Sequence, residues 1–278
     1  MSAANNVVRE FFCVPCKIFY CNGMTTTEGE AQAHAQEIQK LTGTAVELHH
    51  NNTTSTDKTV AMGAKLLGGA GLAGYAVASE KKTTEKKAAD TMAGLLGLGL
   101  ALWGIYDYAQ IQNEKNASAQ QLANKVIQHL LCNPLGDVTL IFHSQGADIG
   151  RRALELLSCY KNRIHVVTIG GMVDIPDGFA NRVVNFVDDS DMIANVAKAT
   201  FGELSNAGVG RPITHTRVRT KKQQCKTAAC HGSTDYLGSP EVRSMITHFA
   251  QPKYFDYPSS LTGYPWQVSY SCPGTNIL

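Results

Sequence analysis

Apolar segments of strand length alternate with segments of helical periodicity along most of this chain. Residues 17–21 form a short apolar run that predicts a strand, and residues 45–48 predict a second strand. Between them, Thr27 and Glu30 have the spacing of a capping box, which predicts a helix start. This helix is expected to run to about Leu41 and to stop at Gly43. The first fifty residues therefore predict a strand, a helix and a strand.

The same alternation returns in the second half of the chain. Four segments predict strands: residues 138–142, 163–170, 182–187 and 214–219. Three segments predict helices: residues 118–132, 147–159 and 240–249. Strands that alternate with helices favour the α/β class, with a mostly parallel sheet flanked by helices. The tail from Pro252 onward contains three further prolines and is expected to be irregular.

The segment Phe142-His143-Ser144-Gln145-Gly146 lies at a predicted junction between a strand and a helix. A serine on such a sharp turn is strained and exposes its hydroxyl, and the helix behind it offers free N–H groups and a positive dipole end. Residues 143–146 resemble the nucleophile elbow of α/β-hydrolases of the lipase and esterase type. In that family the first position is usually glycine, and here it is Phe142. The resemblance covers roughly residues 17–250 apart from an insertion, and it implies that Ser144 is a nucleophile.

The resemblance also implies where the acid of a catalytic triad should lie. In this family the chain order is serine, acid, histidine, and the acid follows the second strand after the elbow. That position holds Asp188, Asp189 and Asp191. Asp191 is favoured because an Asp-x-Ile sequence after a strand resembles the acid loop of lipases. The residues themselves do not exclude Asp188 or Asp189 as the acid. They also allow that all three acids simply face solvent in a loop.

The histidine is expected in a loop before the last helix. His231 fits this place, and its sequence resembles the ending of the family, in which a histidine and a tyrosine precede a helix. His215 lies in a predicted strand, where a structural role is favoured, and His248 lies late in the last helix. His231 is therefore the expected general base.

An oxyanion hole requires two backbone N–H groups that face the developing charge. Gln145 would supply one, because it directly follows the nucleophile. Gly23 or Met24 would supply the other from the loop after the first strand, where glycine allows a sharp turn. An ordinary strand-to-helix turn is the alternative for that loop. The start Tyr20-Cys21-Asn22-Gly23, with the apolar insertion, also resembles hydrolase-like proteins of chlamydiae, a resemblance that implies no function.

Residues 60–78 and 91–106 form two glycine-rich apolar runs around a charged spacer at 80–90, which predicts a helical hairpin. Glycine faces and aromatic residues at one end are typical of helices in lipid, but each run is short for a bilayer of about 30 Å. The hairpin is thus expected to insert into a membrane, to cap the active site or to lie buried in an oligomer. Predicted boundaries are 1–57 and 113–278 for the hydrolase domain and 58–112 for the insertion.

Charge and cysteine content exclude some classes of function. A net charge of +2 gives no electrostatic case for nucleic-acid binding. The N-terminus lacks the basic start and apolar core of a cleavable signal peptide, so the protein is expected to be membrane-associated or cytoplasmic. Cys13 and Cys16, with Cys225 and Cys230, could form a zinc site, but free packing thiols or one local disulfide are favoured. No cofactor and no metal are expected.

These observations together predict a serine hydrolase of an ester or thioester. The apolar segment 60–106 favours a lipid-like acyl substrate and membrane association. The alternatives are a membrane-associated protein that keeps the hydrolase fold only as a scaffold, which the departure at Phe142 favours, and a protease or amidase with the same triad.

Overall fold

The structure is a computed structural model, and it describes residues 10–14, 16–23, 26–51, 110–189, 191, 194, 215–218 and 231–257. The strands are β1 Glu10–Val14, β2 Lys17–Cys21, β3 Val46–His49, β4 Val138–His143, β5 Ile164–Ile169, β6 Arg182–Asp188, β7 His215–Val218 and β8 Lys253–Tyr257. The helices are α1 Glu28–Thr42, α2 (residues 110–132), α3 Gly146–Leu156, α4 Ser233–Leu237 and α5 Pro240–Phe249, with a 3₁₀ helix at Ser158–Arg163.

Six of the described strands form one sheet in the order β3-β2-β4-β5-β6-β7. Every neighbouring pair is parallel, as in β2 and β4, where Tyr20 lies opposite Ile141. Parallel neighbours require crossover connections. Helix α1 lies in the connection from β2 to β3 and helix α3 in that from β4 to β5, whereas β5 and β6 are joined by irregular backbone. The predicted α/β class with a parallel sheet flanked by helices is confirmed.

Two hydrophobic cores cover the two faces of this sheet. Alternate residues of β2 divide between them, since Phe19 belongs to one core and Tyr20 to the other. The first core contains α3 and the part of α2 from Ala119 onward. The second contains residues of α1, α4 and α5. The sheet is therefore the middle of three layers.

Contacts along the chain define two compact units, one made of Met1–His50 with Ala119–Leu278 and the other of Asn51–Ser118. The predicted insertion 58–112 falls within the second unit. Its apolar runs 60–78 and 91–106 lie outside the described residues, so the hairpin stays a prediction. Within the described part of the chain, no helix combines the length and the apolar character needed to cross a membrane.

Local sequence signals predicted the ends of helix α1 correctly, but they did not predict the pairing of strands that are distant in the sequence. Thr27 caps α1 with a complete capping box, and Gly43 ends it in the left-handed conformation. In contrast, β8 pairs antiparallel with β1, so the prediction of an irregular tail is wrong at Lys253–Tyr257. The two strands form a separate two-stranded sheet, in which each depends on a partner more than 230 residues away in the sequence, and no local pattern reveals such a partner.

The bulky residue at the start of the elbow is accommodated by a glycine in the next helix. Phe142 is fully buried, and its ring lies against Gly150 of α3. A Cβ atom on Gly150 would lie 2.5 Å from two ring carbons of Phe142, closer than van der Waals contact allows. Gly150 thus provides the space that Phe142 needs between β4 and α3.

Replacing Gly150 with alanine is therefore expected to destabilise the fold. The steric overlap with a fixed ring costs about 1–3 kcal/mol, which exceeds the gain of up to about 1 kcal/mol from the higher helix propensity of alanine. Urea unfolding of Gly150→Ala measures the difference. Adding Phe142→Leu to that variant should recover part of the loss.

Gly29 offers a matched control, because it lies in α1 and a Cβ atom there would meet nothing within 4 Å. Gly29→Ala should leave the free energy of unfolding unchanged or raise it by up to about 1 kcal/mol. Equal effects of the two alanine substitutions would contradict the packing argument.

Candidate active site

The predicted site residues lie at the carboxyl edge of the parallel sheet, where its connections change direction. From β2 the chain crosses to β3 on one side, and from β4 it continues to β5 on the other. Ligands of open α/β sheets bind at such a switch point, because the two departing connections leave a crevice there. Gly23 follows β2 and Ser144 follows β4, so both lie at this switch point.

Ser144 has a backbone conformation that is costly for any residue with a side chain. Its φ is 53°, and among the described residues it is the one non-glycine with positive φ. Hydrogen bonds hold the turn: the Ser144 N–H donates to Ile169 O over 3.4 Å, and the Ser144 carbonyl accepts from the N–H groups of Ala147 and Met172. Strain of this kind costs about 1–3 kcal/mol and is typical of functional sites.

Two glycines let the backbone pass close to this turn. A Cβ atom on Gly146 would lie 2.5 Å from the carbonyl oxygen of Cys21, and one on Gly23 would lie 2.7 Å from the Ser144 Cβ. Neither distance is compatible with a larger side chain. The end of β2 and the turn after β4 are therefore in direct contact.

Three residues that are far apart in the sequence form a chain of hydrogen bonds. The Ser144 Oγ lies 2.7 Å from His231 Nε2. His231 Nδ1 lies 2.9 Å and 2.8 Å from the two carboxylate oxygens of Asp191. Because the carboxylate only accepts, His231 carries its proton on Nδ1 and leaves Nε2 free to take the proton of the hydroxyl. This arrangement can activate a serine as a nucleophile.

The carboxylate of Asp191 is almost fully buried, and three groups compensate its charge. Besides His231, the Ala194 N–H donates to Oδ1 over 2.9 Å and the Tyr236 hydroxyl donates to Oδ2 over 2.7 Å. Burial acts to raise the pKa of Asp191, but these hydrogen bonds outweigh it and hold the pKa below its ordinary value. Asp191 is thus kept ionised as a partner for His231.

The structure also places the other acids and histidines that the sequence left open. Asp191 is the acid that meets His231, whereas Asp188 ends β6 and Asp189 is exposed in the turn that follows. His215 begins β7, where its backbone pairs with that of Asn185. His248, near the end of α5, accepts a hydrogen bond from Arg182. Of these three histidines, His231 is the one that forms a hydrogen bond with Ser144.

Of the three residues proposed for the oxyanion hole, two are described and both adjoin Ser144. Gln145 follows it directly and is the N-cap of α3, at the positive end of the helix dipole. The backbone of Gly23 lies against the Ser144 side chain, and its carbonyl accepts a hydrogen bond of 2.8 Å from Asn22 Nδ2. Met24 lies outside the described residues.

Two further residues contact the site directly, and neither has a role that the sequence assigned. Tyr236 binds Asp191 and also accepts a hydrogen bond from the Asp188 N–H, so it joins the acid to the end of β6. His143 is buried beside the nucleophile and contacts the backbone of His231. The family resemblance pointed to a tyrosine after the histidine, but only the fold shows that its hydroxyl reaches the acid.

Of the four cysteines that could form a zinc site, Cys13 lies in β1 and Cys16 lies just before β2. Cys16 is buried, and its sulfur lies 3.4 Å from the Thr139 hydroxyl, at the other end of β4 from Ser144. Cys21 and Cys132 are free thiols, and Cys159 is disulfide-bonded. Cys225 and Cys230 lie outside the described residues. Within those residues no group of acid, histidine and cysteine side chains has the arrangement of a metal site.

Comparison with protein families, with curated proteins and with solved structures finds no match to this chain. The case for a function therefore depends on the geometry of the residues described above.

Replacing Tyr236 with phenylalanine is expected to weaken the fold most at neutral pH. The folded-state pKa of Asp191 is below its unfolded value, so its ionisation stabilises the fold above the unfolded pKa of about 3.9, and that contribution is lost as the pH falls through the folded pKa. Loss of the Tyr236 hydroxyl removes one hydrogen-bond donor from Asp191. The folded-state pKa of Asp191 then rises, and its ionisation contributes less to the free energy of unfolding. Tyr236→Phe should cost about 1.5–3 kcal/mol at neutral pH.

Urea unfolding of the wild type and of Tyr236→Phe across the range from about pH 7 to pH 3 checks this prediction. The difference between the two proteins should narrow as the pH falls. A difference that stays constant over this range would mean that Tyr236 does not act through the charge of Asp191.

Proposed function

We propose that this protein is a serine hydrolase that cleaves an ester or thioester through Ser144, His231 and Asp191. The observation that carries the proposal is the continuous chain of hydrogen bonds from the Ser144 Oγ through His231 to Asp191, at 2.7 Å and 2.8 Å. Nucleophile, base and orienting acid within hydrogen-bond distance are the geometric signature of this chemistry.

The reaction would proceed in two steps. His231 Nε2 takes the proton of Ser144 as its oxygen attacks the acyl carbonyl, and the resulting imidazolium is stabilised by Asp191. The imidazolium then protonates the departing alkoxide or thiolate, which leaves an acyl-enzyme on Ser144. In the second step His231 takes a proton from water, the hydroxide attacks the acyl carbon, and the released Ser144 oxygen recovers the proton.

The negative oxygen that forms in each step needs donors that are already in place. The Gln145 N–H is assigned as one donor, because it follows the nucleophile at the start of α3. The other donor is assigned to the loop after β2, at Gly23 or Met24, since Gly23 lies against Ser144. Asn22 supports this loop by its hydrogen bond to the Gly23 carbonyl.

Two features of the fold support membership of the α/β-hydrolases beyond the site itself. The nucleophile follows an inner strand of a parallel sheet, and the three residues occur in the order serine, acid, histidine along the chain. The departure at Phe142 had favoured the scaffold alternative. Because Gly150 accommodates the ring and Ser144 keeps its positive φ, that argument for a scaffold is weakened.

The proposed substrate class is a lipid-like acyl ester or thioester. This part of the proposal is supported by the sequence of the segment 60–106, whose two apolar runs contain one charged residue, Lys65. The apolar character of this segment favours a substrate with a long acyl chain over one with a short chain.

A fluorophosphonate probe tests the nucleophile directly. We expect an adduct on Ser144 in the wild-type protein, located by peptide mass spectrometry, and none in Ser144→Ala. Asp191→Asn should slow hydrolysis of a p-nitrophenyl ester by roughly 10⁴-fold, because the histidine then adopts the wrong tautomer.

Asp189→Asn is the matched control, since Asp189 is exposed and two residues from the acid. It should leave the hydrolysis rate unchanged. A folded wild-type protein that forms no adduct on Ser144 would overturn the proposal and favour a scaffold role.

Acyl chain length and leaving group test the substrate class. The kcat/KM for p-nitrophenyl octanoate should exceed that for the acetate, because burial of each added methylene contributes about 0.8 kcal/mol. The corresponding anilide should react far more slowly. Preference for the acetate would contradict a lipid-like substrate, and equal rates on the anilide would favour an amidase.

A further inference from the structure

His143 occupies the position between Phe142 and the nucleophile, and its side chain is buried inside the site. It is 6% exposed. Its ring lies against that of His231, with centroids 5.2 Å apart and planes inclined at 37°. The mechanism proposed above does not use this side chain, although no other ring packs as closely on the base among the described residues.

One hydrogen bond fixes the tautomer of His143. Its Nε2 lies 2.7 Å from the backbone carbonyl oxygen of His231. Since a carbonyl can only accept, Nε2 carries the proton and donates it. Burial, and next the neighbouring His231, lower the pKa of His143 to about 3, so the ring is neutral at ordinary pH. No second positive charge then opposes the imidazolium that forms on His231.

The other nitrogen of His143 faces the loop after β2. Nδ1 is buried and has no hydrogen-bond partner among the described residues, and a Cβ atom on Gly23 would lie 3.0 Å from it. A buried nitrogen without a partner costs about 1–3 kcal/mol. Within the described residues, the bond from Nε2 to the His231 carbonyl is the hydrogen bond that this side chain makes.

The bond has a geometric consequence for the base. Asp191 fixes the imidazole of His231 through Nδ1, but His231 lies outside any helix or strand, so its backbone is not held by regular structure. His143 holds that backbone at its carbonyl and is covalently next to Ser144. The distance between nucleophile and base is thus controlled by a residue that is directly bonded to the nucleophile.

We propose that His143 is a positioning residue, which holds the His231 loop on the nucleophile turn through its Nε2–H···O bond. This inference rests on the proposed function, in which His231 is the general base. His143 binds the carbonyl of His231 and not the Ser144 hydroxyl, so it acts through the base.

Three variants of His143 distinguish the effect of its hydrogen bond from the effect of its side-chain shape. His143→Gln can place an amide N–H near the position of Nε2 and keep the bond. His143→Leu fills a similar space without a donor. His143→Asn carries an amide that is too short to reach the carbonyl, and it replaces the leucine variant if that protein does not fold.

Ester hydrolysis is the first readout. We expect kcat of His143→Leu and His143→Asn to fall roughly 10- to 100-fold, as a displaced base would cause, with KM within about threefold of the wild type. His143→Gln should recover most of kcat. Wild-type kcat in the leucine variant, or an equal loss in the glutamine variant, would overturn the proposal.

Proton NMR of ¹⁵N-histidine-labelled protein is the second readout, and it does not require turnover. The proton between His231 Nδ1 and Asp191 should give a downfield resonance in the wild type and in His143→Gln, and a broadened or missing one in His143→Leu. The same resonance in all three proteins would overturn the positioning role. Absence of esterase activity in a wild type that shows this His143 dependence would instead refute only the proposed function.

Discussion

The close contact between the end of β2 and the turn after β4 is the constraint on which the rest of the site depends. These strands are neighbours in the sheet, so their carboxyl ends must share the space above the same edge. Gly146 fits against the Cys21 carbonyl and Gly23 against Ser144 only because neither has a side chain. With the turn held this way, Ser144 takes a positive φ and presents its hydroxyl above the sheet edge.

The buried charge of Asp191 is the second constraint on the site. It needs hydrogen-bond donors, and the fold supplies them from separate elements. Asp191 sits just beyond β6, Tyr236 reaches it from α4, and His231 reaches it from the residues before α4. Each donor lowers the cost of an ionised carboxylate away from water. The same hydrogen bonds that stabilise the charge also orient the imidazole toward Ser144. Stability and alignment of the site are therefore linked.

Packing behind the turn explains how an unusual residue can occupy the first elbow position. Phe142 extends from β4 into the core beneath α3, and the absent side chain of Gly150 leaves room for its ring. The bulk is thus accommodated on the core side of the turn, away from the hydroxyl. A site of this kind tolerates a large residue as long as the facing helix position stays small.

Local signals were sufficient for part of this fold. The capping box at Thr27, the stop at Gly43 and the proline that opens α5 each depend on contacts within a few residues, so the sequence alone located these helix ends. The short helix α4 and the pair of strands β1 and β8 were not found, because α4 is too short to show a helical period and each of the two strands needs the other as its partner. The chain order of serine, acid and histidine was predicted through a family resemblance.

The sequence by itself determined the α/β class and the turn at Ser144, because strand and helix periods and turn residues are local properties. A family resemblance pointed to the loops that hold the candidate acid and base. Only the tertiary structure decided that Asp191 rather than Asp188 or Asp189 meets His231, that Tyr236 supports it and that His143 binds the His231 backbone. These choices depend on distances across 40 to 88 residues of chain, which the packing of the sheet sets and no local pattern contains.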